Sequence, residues 1–281
     1  MKNLPNTFLV GCQKTASTWL YQCLQEHPQV FVPQKDAIHY FEINYYKGLE
    51  WYKQWFKDVE SQEVILDPTP SYIRCYQAPR RIAKFNSSSK LIFSLRNPIE
   101  RAFSHYWHEK KKSKIAFTFE EAINYGGVGN YDLYNDWIFT GFYYEHIQRF
   151  LRYFPREQMI FLLYDDLVAD PKNYLEKLFS FLGVEEGFEP SVLHQKINKA
   201  KKKIVRKNPE SDNNQNSFKK ILRKVTKFGR SSTPGTTNLE VTKSEYEIGI
   251  KPETRETLNK IYCSENKRLS NFLERDLSHW Q

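Results

Sequence analysis

Four short apolar runs, each followed by polar residues and then by a helix-forming segment, most constrain the fold of this chain. The runs occupy residues 7–11, 64–66, 90–95 and 159–164. Each run is continuous, which is typical of parallel strands that are covered on both faces. Strand, turn and helix repeated in this way predict an α/β fold, a three-layer α/β/α sandwich with a central parallel sheet.

Helical segments alternate with these runs. A helix is predicted over residues 17–27 because its apolar residues fall on one face. Further predicted helices begin near residue 99, span residues 143–153 and begin after residue 171. Ligands of such folds bind beyond the carboxyl ends of the strands. The polar residues that follow the strands are therefore the first candidates for chemistry: Gln13, Lys14, Thr15, Asp67, Arg96, Asn97, Asp165 and Asp166.

Composition narrows the class of protein. Hydrophobic residues at 40% and aromatic residues at 16% exclude global disorder. No apolar run approaches the ~20 residues of a membrane-spanning helix, and no secretory signal is expected at the N-terminus. The four cysteines have no paired or metal-ligand spacing, so neither a disulfide scaffold nor a metal site is expected. We therefore expect a soluble protein of a reducing compartment, the cytoplasm.

The positive charge is concentrated in one segment. Residues 196–230 contain thirteen basic and two acidic residues, a net charge of +11, so the remainder of the +9 chain carries about −2. We predict a single domain over residues 1–281 that includes a basic, mobile insertion at about 196–240. A flap that holds an anionic ligand, or an arm for nucleic acid or a membrane surface, is the alternative for this segment.

The first motif with chemical meaning is the turn at residues 11–18, GCQKTAST, between a predicted strand and a helix. Backbone N–H groups and the helix dipole favour an anion there. Lys14 adds a cation, and Thr15, Ser17 and Thr18 add hydroxyl groups. The turn does not match GxxxxGK[ST] and is therefore not a Walker A loop. The alternative is an ordinary helix start with a surface lysine.

The second motif, RNPIERAFS, also follows a predicted strand. It places Arg96 at the strand end and Ser104 on the following helix. A guanidinium and a hydroxyl group in this arrangement can bind a second phosphate. The alternative is that Arg96 forms an ordinary ion pair and Ser104 faces solvent.

Together these motifs resemble a known family. GCQKTASTWLYQCL resembles the 5′-phosphosulfate loop of sulfotransferases that use 3′-phosphoadenylyl sulfate (PAPS), and RNPIERAFSHY is similar to their 3′-phosphate-binding strand and helix. The segments HYFE, DPTPSY and FPREQMI, and a C-terminal helix with tryptophan, are similar to heparan-sulfate-type and bacterial sulfotransferases. The resemblance covers roughly residues 5–195 and 250–281.

The resemblance implies a P-loop-like phosphosulfate-binding loop, PAPS as co-substrate and no metal. Lys14 is expected to contact the sulfate and the bridging oxygen. Arg96 and Ser104 are expected to bind the 3′-phosphate. The residues expected to surround the 5′-phosphate are Thr15, Ala16, Ser17, Thr18 and Trp19.

The sequence departs from the family at the catalytic base. Glycosaminoglycan-type relatives carry a glutamate two residues before the position of His39, where this chain has Ala37, and Asp36 is one step away. The lysine that follows the acid in the family is replaced by Pro68, after Asp67. His39 and Asp67 are therefore the candidate bases, and a neutral imidazole can accept a proton from a hydroxyl group.

The predicted reaction is sulfuryl transfer from PAPS to a hydroxyl or amine, which releases adenosine 3′,5′-bisphosphate. A small specialised metabolite is the favoured acceptor, and a glycan or a protein tyrosine stays open. Dense aromatic residues suggest a compact acceptor pocket, although core packing is the alternative. These residues are Tyr40, Phe41, Tyr45, Tyr46, Trp51, Tyr52, Tyr125, Tyr131, Tyr134 and Trp137.

Two other classes of protein remain open from the residues alone. A P-loop kinase with ATP and Mg²⁺ would assign Asp67 or Asp165 to the metal. A nucleic-acid-binding protein would use the basic segment, with salt-dependent binding. We predict neither a nucleic-acid partner nor a membrane partner, and the sequence gives no oligomeric state.

Overall fold

The computed structural model describes residues 3–113, 115, 117–124, 136–194 and 249–280. The chain divides into two units, Met1–Ile197 with Thr242–Gln281 and Asn198–Val241, and the described residues all belong to the first. The basic insertion predicted at about 196–240 lies outside the described residues, and its mobility stays a prediction.

A parallel sheet of five strands forms the centre of the described part of the chain. The strands are β1 (Thr7–Gly11), β2 (Val30–Phe31), β3 (Val64–Asp67), β4 (Lys90–Leu95) and β5 (Met159–Leu163). Their order is β2–β3–β1–β4–β5, and all pairs are parallel. All five residues of β1 are buried, as expected for a central strand covered on both faces. The predicted α/β fold is confirmed.

Helices cover both faces of the sheet. They are α1 (Ser17–Glu26), α2 (Gly48–Lys53), α3 (Ala78–Phe85), α4 (Pro98–Ser113), α5 (Phe119–Asn124), α6 (Tyr143–Leu151), α7 (Tyr164–Ala169), α8 (Pro171–Leu182) and α9 (Pro252–Leu273). Leu9 of β1 packs with α1 and α8 on one face. Phe8 packs with α3, α6 and the end of α9 on the other face. Alternate residues of one strand thus serve two cores, which produces the three layers.

Several elements differ from the sequence prediction. The strand predicted over 159–164 ends at Leu163, because Tyr164 already begins α7. The helix predicted beyond residue 171 is α8, whose start is fixed by the Asp170 side chain, which accepts a hydrogen bond from the Asn173 N–H. Strand β2 and helices α2 and α3 are short, and the sequence pattern did not predict them.

The position of β1 defines where a ligand can bind. β1 lies between β3 and β4, so chain connections leave the centre of the sheet in both directions. In parallel α/β sheets, the crevice at such a switch point, beyond the carboxyl ends of the strands, is the usual ligand site. The turns after β1 and β4 flank this crevice.

No helix in the described ranges is both long and apolar enough to cross a membrane. The four cysteines all lie in described residues and are free.

Gly11, the last residue of β1, is in close contact with the turn that follows β3. A Cβ atom at Gly11 would lie 2.6 Å from the Cβ atom of Ile73, which is inside the contact limit of real side chains. Ile73 belongs to the 3₁₀ turn Tyr72–Arg74, and its carbonyl accepts a hydrogen bond of 2.8 Å from Arg149 of α6. The turns after β1 and β3 are therefore held against each other through a position that only glycine fits.

Replacing Gly11 with alanine should destabilise the protein by about 1–3 kcal/mol, because the added methyl group overpacks the contact with Ile73. Chemical denaturation measures the free energy of unfolding. Gly187→Ala is the matched control, since its Cβ would meet no atom within 4 Å. Equal stabilities of the two variants would contradict the close contact, as would full additivity of Gly11→Ala with Ile73→Ala.

Candidate active site

The turn after β1 has an unusual backbone conformation. Lys14 and Ala16 have φ angles of 70° and 67°, in the left-handed region that non-glycine residues rarely occupy. The Thr15 hydroxyl donates to the Cys12 carbonyl at 2.8 Å, and the Ser94 hydroxyl donates to the Thr15 carbonyl at 3.1 Å. Strained conformations of this kind concentrate at functional sites. The turn is thus fixed from within and from β4.

Helix α1 begins without a side-chain cap. Its N-cap residue is Ala16, and no described side chain accepts a hydrogen bond at the cap. The first turn of α1 also contains no acidic residue. The N–H groups of this turn, together with the helix dipole, form a site that favours an anion. The hydroxyl-bearing residues Ser17, half-buried, and Thr18, exposed, follow directly.

Lys14 lies in a partly desolvated, positively charged environment. The pKa of Lys14 is lowered to about 8, chiefly by burial and then by the cations of Lys112 and Lys111, which Glu109 opposes. These three residues lie near the C-terminal end of α4. A bound anion would stabilise the charged form of Lys14 and relieve this repulsion.

Arg96 connects the two predicted phosphate-binding segments. One of its Nη atoms donates to the Lys14 carbonyl at 3.4 Å, and its guanidinium carbon lies 4.6 Å from the centre of the Tyr164 ring. Its own carbonyl accepts a hydrogen bond of 2.8 Å from the Tyr143 hydroxyl. Arg96 and Ser104 are both half-buried, so each side chain keeps contact with solvent at this edge.

Two residues that were predicted to bind the nucleotide have side chains that are engaged within the protein. The Thr15 hydroxyl is engaged within the turn, and Thr15 is 1% exposed. The Trp19 ring is buried against Tyr174, and its N–H donates to the Val192 carbonyl at 3.1 Å. These two residues therefore contribute the shape of the turn and their backbone N–H groups rather than side-chain donors.

His39 lies in a tight turn and presents one nitrogen. Its φ angle is 58°, again left-handed. Nδ1 forms hydrogen bonds with a Glu42 carboxylate oxygen and, at 3.1 Å, with the Ser71 hydroxyl, which itself donates to Glu42 at 2.6 Å. Among the described residues, none forms a hydrogen bond with Nε2. A proton on Nδ1 therefore leaves the Nε2 lone pair available to accept another.

Glu42 orients this imidazole and was missed by the sequence analysis. Burial acts to raise its pKa, but the hydrogen bonds from His39 and Ser71 outweigh burial and hold that pKa below its usual value. Arg81 of α3 donates to the carbonyls of Phe41 and Glu42 at 2.9 and 3.1 Å, which fixes the turn. The three-residue spacing of Glu42 from His39 was the available signal.

Asp67 lies at the end of β3 and is fully buried. Its carboxylate accepts hydrogen bonds from the hydroxyl groups of Tyr52 at 2.6 Å, Tyr72 at 2.9 Å and Thr69 at 2.5 Å. Burial raises the pKa of Asp67 to about 6, although these three hydrogen bonds act to lower it. Both carboxylate oxygens are engaged, so this geometry offers an acceptor hydroxyl no direct access to Asp67.

Asp67 influences His39 through Thr69. The Thr69 Oγ1 atom accepts hydrogen bonds from the N–H groups of Ile38 at 3.1 Å and His39 at 3.3 Å. The buried carboxylate thus orients a hydroxyl that holds the backbone of the His39 turn. The structure brings both predicted bases into one network but gives them different environments.

The ionisation of Asp67 should make stability depend on pH. Its pKa is raised on folding from 3.8 to about 6, so the folded state binds the proton more tightly. The stability that the protonated Asp67 contributes is fully present below about pH 4. It is lost as pH rises through about 6, and the loss is up to about 3 kcal/mol. Denaturation from pH 4 to 8 measures it.

Asp67→Asn should remove this loss, whereas Asp58→Asn, which removes an exposed carboxylate, should retain it. A wild-type stability that does not fall relative to Asp67→Asn between pH 4 and 6 would contradict the raised pKa.

The aromatic pocket predicted from the sequence is wrong for its main members. Tyr40, Phe41, Tyr52 and Trp137 are at most 4% exposed and pack in the core. Tyr46 is 81% exposed on the surface instead. Tyr45 and Trp51 are half-buried and pack against the same core, and the predicted residues 125, 131 and 134 lie outside the described ranges. Density of aromatic residues here reports core packing.

The acidic residues after β5 are also engaged. Asp165 accepts a hydrogen bond of 2.9 Å from the Trp280 indole and lies 3.6 Å from His279. Asp166 accepts two hydrogen bonds, of 3.0 and 2.7 Å, from Arg275. The described residues contain no cluster of three side chains that could hold a metal ion. Asp67 and Asp165, the carboxylates that a P-loop kinase would use to bind a metal ion, are thus hydrogen-bonded to other side chains of this protein.

A cavity of about 400 Å³ lies elsewhere in the described part of the chain, at the amino ends of the strands. Its lining includes Asn6, Gln62 and Asn86, which precede β1, β3 and β4. The candidate active site lies at the opposite edge of the sheet and is defined by its anion-binding groups.

These features define a class: a parallel α/β protein with a P-loop-like turn after β1 and an arginine after the adjacent strand, whose N–H groups and cations favour an anion at that edge. The model of the family described as "Sulfotransferase domain" matches residues 4–244. The chain belongs to the sulfotransferase family, whose members are transferase enzymes.

Relatives of known name agree with this family. The chain is 32% identical over 185 residues to heparan sulfate glucosamine 3-O-sulfotransferase 3B1 of Mus musculus, covering 66% of this chain and 47% of that protein. It is 30% identical over 184 residues to heparan sulfate glucosamine 3-O-sulfotransferase 6 of Homo sapiens, covering 66% and 54%. The chain thus spans about half the length of these relatives.

A solved structure shares the fold over nearly the whole chain. The sulfotransferase from Alicyclobacillus acidocaldarius superposes with a TM-score of 0.73 at 21% identity and covers 99% of this chain and 98% of that one.

Proposed function

We propose that this protein transfers the sulfuryl group of PAPS to a hydroxyl or amine of an acceptor. One observation carries the proposal: the Lys14 turn and Arg96 are hydrogen-bonded to each other at the carboxyl edge of β1 and β4. This pair of cationic, anion-binding segments matches a nucleotide with phosphates at two positions.

The residues present fit PAPS. The uncapped start of α1 and the Lys14 side chain would bind the 5′-phosphosulfate, because N–H groups and a cation converge there. The Arg96 guanidinium, with the half-buried Ser104 hydroxyl on α4, would bind the 3′-phosphate. When bound, PAPS supplies the sulfuryl group, and adenosine 3′,5′-bisphosphate leaves with the electron pair of the broken bond between sulfur and the bridging oxygen.

The acceptor side uses His39. Its Nε2 atom would take the proton of the acceptor hydroxyl as the new bond to sulfur forms. Glu42 holds the Nδ1 proton and stabilises the resulting imidazolium, while the Asp67–Thr69 pair holds the backbone of the turn. Lys14 would neutralise charge on the leaving phosphate oxygen. The contact between Gly11 and Ile73, two residues after Ser71, joins the two sides.

For the acceptor we propose a small molecule with an apolar part. Ile43 and Tyr46, which follow Glu42 in the chain, are 68% and 81% exposed and offer apolar surface in the segment that follows His39. A glycan is the second candidate, because the named relatives act on heparan sulfate glucosamine. Transfer from labelled PAPS to panels of aromatic alcohols, amines and glycans tests both, and labelling of glycans alone would overturn the first.

Binding of adenosine 3′,5′-bisphosphate should weaken as pH rises from 7 to 9. Lys14, with its pKa lowered to about 8, loses its charge over this range, so binding must restore a proton. We expect up to about a tenfold loss of affinity at pH 9, measured by isothermal titration. Lys14→Arg should bind with little pH dependence, since arginine stays charged. A flat wild-type profile, or tighter binding of ATP–Mg²⁺ than of the bisphosphate, would contradict the proposal.

His39→Asn should lower turnover by about 10²–10⁴-fold while the affinity for adenosine 3′,5′-bisphosphate stays unchanged. Asparagine tolerates a left-handed backbone and can still donate to Glu42, but it has no atom equivalent to Nε2. Initial rates at saturating PAPS measure the effect. His194→Asn, an exposed histidine outside the site, is the control. Near-normal turnover of His39→Asn, with Asp67→Asn inactive, would assign the base to Asp67 instead.

A further inference from the structure

A closed ring of side-chain contacts surrounds Arg96 and includes residues far from it in sequence. The Tyr143 hydroxyl donates to the Arg96 carbonyl at 2.8 Å. The Tyr143 ring meets Trp280 edge-to-face, with ring centres 6.2 Å apart and planes at 73°. The Trp280 indole donates to Asp165 at 2.9 Å, and Asp165 follows Tyr164, whose ring faces the Arg96 guanidinium.

The same tyrosine belongs to the buried core that also contains Cys12, at the start of the turn after β1. Tyr143 is 1% exposed and Trp280 is fully buried, so neither side chain can contact a ligand directly. Both act only through the residues they hold.

The ring fixes Arg96 from two directions. Tyr143 holds the backbone of Arg96, and Tyr164 supports the flat face of its guanidinium. An arginine fork binds phosphate well only when its plane is held in place before binding. The buried side chains behind Arg96 therefore determine how well it can recognise a second phosphate.

We infer that Tyr143 and Trp280 are positioning residues that orient Arg96 toward the 3′-phosphate of the nucleotide. The inference rests on the proposed use of PAPS and adds the residues that determine its recognition. The chemical group recognised through this ring is a ribose 3′-phosphate, so these residues should matter for adenosine 3′,5′-bisphosphate and scarcely for adenosine 5′-monophosphate.

The Tyr143→Phe variant tests the positioning role, because it removes only the hydroxyl oxygen and keeps the ring that packs on Trp280. Isothermal titration of the full-length chain with both nucleotides should show about a fivefold loss of affinity for adenosine 3′,5′-bisphosphate. The affinity for adenosine 5′-monophosphate should change less than twofold. Trp280→Phe, which removes the hydrogen bond to Asp165, should show the same selective loss. Arg96→Ala should show the largest loss of affinity for adenosine 3′,5′-bisphosphate.

Tyr144→Phe is the matched control. Tyr144 is the next residue of α6, and Tyr144→Phe removes the same hydroxyl group. The Tyr144 ring packs against Phe272, away from Arg96. It should leave both affinities as in the wild type.

The outcomes separate the two proposals. A wild type that binds both nucleotides equally would overturn the proposed use of PAPS. A wild type that prefers the bisphosphate, with Tyr143→Phe keeping the full preference, would overturn only the positioning role. Equal loss of both nucleotides in Tyr143→Phe, with a lower melting temperature, would assign Tyr143 to general stability and also overturn it.

Discussion

Two hydrogen bonds between Ser94 and the turn after β1 hold the anion-binding edge of the sheet together. The Ser94 carbonyl accepts the Cys12 N–H at 2.7 Å, and its hydroxyl donates to the Thr15 carbonyl at 3.1 Å. These bonds join β4 to a turn in which Lys14 and Ala16 are both left-handed, a conformation that costs of order 1–3 kcal/mol per residue. The strained turn persists because buried hydrogen bonds on both sides leave it no equally satisfied alternative.

The acceptor side follows a different principle. A carboxylate that is fully buried without a positive partner would be costly, and Asp67 is stabilised by three hydroxyl donors instead. Thr69 and Tyr72 also accept hydrogen bonds from backbone N–H groups of residues 38–41, so one buried carboxylate orders the turn around His39. In the proposed reaction the rigid parts of the site bind the nucleotide and transfer the proton, and the exposed residues Ile43 and Tyr46 contact the acceptor.

The sequence could predict what depends on local pattern. Strands β1 and β4 have the predicted bounds, because continuous apolar runs ended by polar residues leave little choice of register. Glu42 escaped prediction because its contact with His39 forms only in the folded turn. The aromatic pocket failed because composition does not tell which face of a segment is buried, as Tyr52 and Tyr40 show by stacking in the core. Long-range contacts, such as that of Trp280 with Asp165, leave no periodic pattern in the sequence from which they could be predicted.

The place of Trp280 in the chain affects how the protein is made. Domains fold as units as the chain emerges from the ribosome. The strands and turns that bear Lys14 and Arg96 precede Trp280 by more than 180 residues, so the indole that completes the ring around Arg96 is synthesised long after them. A nascent or truncated chain therefore has the phosphate-binding turns without their final support. We therefore expect the proposed nucleotide binding, and the stabilisation that accompanies it, to require synthesis through this tryptophan.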